Sequence, residues 1–147
     1  MAMKHVLFLF LDGVGLGVGD RGSNPFAQAR MPNLNGLLDG RRLLQDLTAF
    51  STERVSFIPA DACLGVVGMP QSASGQGAIL AGINVPRCIG KHWGPKPNAE
   101  IRTLLHKDNL FKHLRNQGVL VGMANAYPPA FFRGVESGRR ALSSIQF

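Results

Sequence analysis

The apolar positions of this chain fall into a few separate runs, and their spacing predicts the elements. Residues 4–11, continuously apolar from Val6, show no polar alternation, as expected of a strand buried on both faces of a parallel sheet. The run stops at Asp12-Gly13 and gives way to a glycine-rich loop over 14–23. Residues 33–38, following Pro32, predict a helix with proline in its first turn, where the missing N–H costs nothing. Residues 55–58 predict a short strand. Residues 74–83 predict a second helix that opens on Ser74 as a capping residue and continues into Ala-Ile-Leu-Ala. Residues 98–105 and 109–116 carry Leu104, Leu105, Leu110, Phe111 and Leu114 at helical intervals, and Gly118 stands where a helix C-terminus takes glycine. Residues 119–124 predict another strand. Strands and helices in alternation define an α/β fold, a mostly parallel sheet with flanking helices. The whole chain, 1–147, reads as a single α/β domain. With so few strands the sheet is incomplete and would expose an apolar edge.

Composition changes this picture little. The 147 residues suffice for a real core, and 45% hydrophobic with 17% charged residues is ordinary for a globular protein. The net charge of +7 suits an anionic partner. Its lysines and arginines are scattered, however, and a single Tyr and a single Trp give no aromatic interleaving, which argues against nucleic acid. A phosphorylated small molecule is the better match. Cys63 and Cys88 lack metal-ligand spacing and read as buried free thiols in a reducing cytoplasm. The run over 6–11 is far shorter than the roughly twenty residues a membrane span requires, so no membrane partner is expected. Asp12 interrupts it, and no small-residue cleavage site follows, which speaks against a signal segment.

Two segments carry candidate chemistry. Asp12 would stand at the tip of the first strand, where open α/β sheets bind ligands, and its hard carboxylate suits a divalent cation. The rival readings are that it caps a turn, or opens a dinucleotide loop. The last needs Gly-x-Gly-x-x-Gly, but positions 18 and 20 are Val and Asp. The second segment, 69–77, places Ser72 and Ser74 at the mouth of a helix whose N–H groups and dipole favour phosphate. Ser72 is either a nucleophile, activated by a metal, or a loop residue beside an N-capping Ser74. Pro70 excludes a Gly-x-Ser-x-Gly elbow, and Val85 with His92 excludes a P-loop around Gly90-Lys91. His92, in a basic loop with Trp93, could meet an anionic substrate or simply pack. His106 and His113 flank a turn-like 107–109 and read as surface residues rather than a metal pair; His5 reads as structural.

Leu11-Asp12-Gly13-Val14-Gly15, Asn24-Pro25, Met31-Pro32-Asn33-Leu34 and Gln71-Ser72-Ala73-Ser74-Gly75-Gln76 together resemble the alkaline phosphatase superfamily. The nearest branch is that of cofactor-independent phosphoglycerate mutase and phosphopentomutase, and the resemblance runs from about residue 4 to 144. Gln76 stands where that branch typically has histidine, which brings the sequence nearer to a related metalloenzyme group. The resemblance implies an alkaline-phosphatase-like fold and two divalent ions, Mn²⁺ or Zn²⁺. It makes Asp12 a metal ligand and Ser72 the metal-bound nucleophile that becomes phosphoserine. Gly75 and neighbouring N–H groups would steady the phosphate, with Lys91 and His92 in contact with substrate. Mutase or phosphatase activity follows, according to the acceptor. The family takes an Asp and His pair, an Asp-His dipeptide and a further His from its C-terminal half, and the 147 residues hold no Asp-His dipeptide. The chain is therefore expected to be a partial or inactive form: a truncated product, a fragment or one half of a split protein, with a missing C-terminal half or a dimer as its partner. The competing readings are a non-catalytic α/β module for phosphate or nucleotide and a Rossmann-like nucleotide binder.

Overall fold

The computed structural model describes residues 5–124 and 126–139. Lys4, at the start of the first expected strand, and residues 140–147, at the end of the resemblance, lie outside them. The chain divides into two compact units, Met1–Ala60 and Asp61–Phe147.

In the first unit, α1 (Pro25–Gln28) starts on Asn24, whose Oδ1 accepts the Phe26 N–H at 3.0 Å while its Nδ2 donates to the Val18 carbonyl at 2.7 Å. One buried side chain thus caps the helix and ties down the glycine-rich loop. The helix α2 (Pro32–Leu37) has the expected proline in its first turn, and the Leu38 that follows it is buried. Two-residue strands β1 (Phe50–Ser51) and β2 (Ser56–Phe57) pair antiparallel, with Phe50 opposite Phe57 and their rings stacked at 5.7 Å. Arg41 lies over the Phe50 ring at 4.2 Å.

The second unit is helical: α3 (Ser72–Ala81), α4 (Val85–Ile89), α5 (Ala99–Lys107), α6 (Leu110–Asn116) and α7 (Pro129–Glu136). Its core is Ala73, Val85, Ile101 and Leu105, bordered by Ala78, Leu80, Ala81, Ile89 and Leu104. Three asparagines start helices by accepting the N–H three residues on: Asn84 from Arg87, Asn98 from Ile101 and Asn109 from Lys112. Gly118, with φ of 75°, closes the turn after α6 as expected.

The expected α/β fold with a mostly parallel sheet is overturned. Among the described residues the only sheet is the two-stranded antiparallel β1–β2, and the rest is helix or irregular chain. Residues 5–11 and 119–124 form no strand. They are not buried on two faces either: Val6 is 94% exposed and Leu120 99%. Apolar composition records that a segment is better out of water, whereas a strand exists only where another backbone completes its ladder. In the second unit α3, α4 and α5 satisfy their apolar faces against one another, with no sheet beneath them. The remaining expectations over 33–38, 55–58, 98–105 and 109–116 match α2, β2, α5 and α6 to within a few residues. The thiols differ from expectation, since Cys63 is half-buried and Cys88 exposed. No helix among the described residues is long and apolar enough to cross a membrane.

Candidate functional site at the start of α3

The helix at 72–81 begins two residues earlier than its serine pattern suggests. Gln71 is the N-cap, in extended backbone and without a side-chain capping bond, and Ser72 is the first helical residue. Ser74 is therefore not the cap. Its side chain is wholly buried, and its Oγ accepts the Trp93 N–H at 2.9 Å and donates to the Gln71 carbonyl at 3.3 Å. The Ser74 N–H in turn donates to the Trp93 carbonyl at 2.9 Å. A distant backbone segment thus does what a capping side chain normally does for an orphan N–H of the first turn.

Ser72 is half-buried at this mouth, and Gly75 lies one turn further along, also half-buried. The Gly75 N–H donates to the Gln71 carbonyl at 2.9 Å, the first bond of the helix. A methyl group at Gly75 would meet nothing within 4 Å, so the helix surface beside Ser72 is open there. Gly94 makes the opposite kind of contact. A Cβ on it would lie 3.1 Å from the Ser72 amide nitrogen and from Gln71 Cβ and Oε1, so a larger residue there would have to push the loop and the Gln71–Ser72 peptide a few tenths of an ångström apart.

Lys91 is exposed, with its Nζ 4.9 Å from the centre of the Trp93 ring, and Trp93 Nε1 donates to the Lys96 carbonyl at 2.9 Å. His92 is half-buried, with Nε2 3.2 Å from the Val66 carbonyl oxygen; a carbonyl only accepts, so this nitrogen carries the proton. Its Nδ1 is buried with no hydrogen-bond partner among the described residues. The ring therefore braces the 61–68 loop. Within that loop Asp61 accepts N–H bonds from Cys63 at 2.8 Å and Gly65 at 3.2 Å. These two amides, with a smaller contribution from the charge of His92, hold the Asp61 carboxyl below its ordinary value.

Ser72, Gly75 and the loop carrying Lys91 and His92 thus all belong to the second unit, around one helix end. Asp12 is exposed in a turn of the first unit, at Asp12-Gly13 rather than at a strand tip, because no strand precedes it. A two-ion centre needs several converging carboxylate or imidazole donors. Among the described residues no group of three or more His, Cys, Asp or Glu is placed to hold an ion. The donors described do not by themselves fit the implied pair of metals. The bonds of the Trp93 backbone to Ser74 and the approach of Gly94 to Ser72 were not legible in the sequence. The Gly94-Pro95 dipeptide signalled a turn there, but not which helix the turn would touch.

Comparison with protein-family models, with curated proteins and with solved structures finds no match to the chain.

Proposed function

We propose that this chain carries the nucleophile segment of a phosphoryl-transfer enzyme of the alkaline phosphatase superfamily type, with Ser72 as the residue that becomes phosphoserine. The observation that carries this reading is the contrast in burial between the two serines: Ser74 is wholly buried, while Ser72 is half-buried at the first position of a ten-residue helix. Helix N-termini favour phosphate through their N–H groups and dipole. The open face at Gly75 leaves room for the ester, and Lys91 supplies a positive charge on the adjoining loop. In the step itself, Ser72 Oγ bonds to phosphorus as the ester P–O bond breaks. The serine proton passes to solvent and the departing oxygen is protonated from it. Water, or a second hydroxyl of the substrate, then attacks the phosphoserine and restores Ser72.

Asp12 remains the carboxylate that the resemblance assigns to a divalent cation, Mn²⁺ or Zn²⁺. The substrate class is a phosphorylated small molecule, and the compartment a reducing cytoplasm, in keeping with two free thiols, one of them exposed. Hydrolysis of p-nitrophenyl phosphate with added Mn²⁺ or Zn²⁺ tests the proposal. Slow release of nitrophenolate that falls to background in Ser72→Ala supports it. Binding of inorganic phosphate without any hydrolysis, equal in wild type and Ser72→Ala, would instead identify a non-catalytic phosphate module.

A further inference from the structure

We infer that Ser74 is the positioning residue of this site: with the backbone of Trp93 it fixes the first turn of α3 and so the backbone from which Ser72 Oγ projects. The inference rests on Ser72 being the reactive hydroxyl. Ser74 is fully buried beside Ala73 at the helical core, where an alanine would serve packing as well. Its hydroxyl nevertheless spans two segments, accepting from Trp93 N–H and donating to the Gln71 carbonyl, and its own N–H returns a bond to the Trp93 carbonyl. Three bonds from one residue lock the 93–94 loop to the peptide immediately before Ser72. Gly94 then bears on the Ser72 amide so closely that a Cβ there would lie 3.1 Å from its nitrogen and press the two segments apart. The Trp93 indole is held in turn by the Lys96 carbonyl, so the loop is fixed at both the backbone and the ring. A turn fastened this way keeps its leading N–H groups and the backbone that bears Ser72 in one place, as a phosphate acceptor requires.

The test reads the environment of position 72 without needing turnover. In a Ser72→Cys variant of the full chain, the pH profile of iodoacetamide alkylation is followed at that position by peptide mass, which separates it from Cys63 and Cys88. The thiol is expected to titrate below about 7.5 rather than near 8.5, as thiols at helix N-termini do. Adding Ser74→Ala should raise the midpoint by roughly one pH unit, while Ser74→Thr, which keeps the hydroxyl, should leave it low. A midpoint unchanged by Ser74→Ala, even with a lower Tm, would mean that Ser74 serves packing alone and overturns the inference. Should Ser74→Ala fail to fold, Gly94→Ala displaces the same loop and must raise the midpoint likewise; no change there is equally fatal. Failure of phosphoryl transfer by the wild-type chain bears on Ser72 as nucleophile and does not alter these midpoints, so the two ideas fail separately.

Discussion

Ser72 and Ser74 are separated by one small residue, yet Ser74 is sealed against Trp93 while Ser72 keeps part of its surface open. The sequence could place both near a helix start, because hydroxyls cluster there for local reasons. It could not assign them, because what separates them is a backbone nineteen positions away. Asp61 shows the same reach of local and distant groups. Its carboxyl sits below its ordinary value because the Cys63 and Gly65 amides bond to the ionised form. A depressed folded-state pKa contributes stability above the ordinary value of 3.8, which is lost as pH falls through the folded value. Asp61→Asn should therefore lower the urea midpoint near neutral pH and flatten its decline on acidification. A mutant whose acid limb is as steep as the wild type's would show that the turn at 61–65 contributes nothing to acid sensitivity.

At the scale of elements, α3, α5, α6 and the short β2 were legible, whereas α4, α7 and the two long apolar runs were not. A helix satisfies its hydrogen bonds within its own segment, and its caps are local: Asn98 and Asn109 mark the starts of α5 and α6 from the sequence alone. A strand depends on chain elsewhere, so the apolar runs at 5–11 and 119–124 were misread. Asn109 does more than cap α6, since its Nδ2 also donates to the Leu105 carbonyl at 2.9 Å and so joins the end of α5 to the start of α6. It is buried, so Asn109→Ala should cost about 2 kcal/mol, the upper end for a cap. Asn98→Ala removes a more accessible cap and should cost about 1 kcal/mol. Urea unfolding of the two variants checks the order; equal losses would show that the Leu105 bond adds nothing.

For the molecule as a whole, buried and exposed apolar groups predict opposite responses. Ile101, wholly buried among α3, α4 and α5, should cost about 2–5 kcal/mol when cut to alanine. Leu7, 86% exposed, should tolerate lysine within about 0.5 kcal/mol. Because residues 6–11 expose contiguous apolar surface, Leu7→Lys should also reduce self-association, read as lower light scattering at equal protein concentration. Scattering unchanged by that substitution, together with a marked loss of stability, would indicate that the segment is packed rather than exposed. These features surround one chemical claim, that Ser72 accepts a phosphoryl group. The most direct measurement is peptide mass mapping after incubation with acetyl phosphate and Mn²⁺ or Zn²⁺. One phosphoryl group is expected on Ser72, absent in Ser72→Ala but present in Ser74→Thr. A wild-type chain that carries no label at Ser72, or carries it on Ser74, would contradict it.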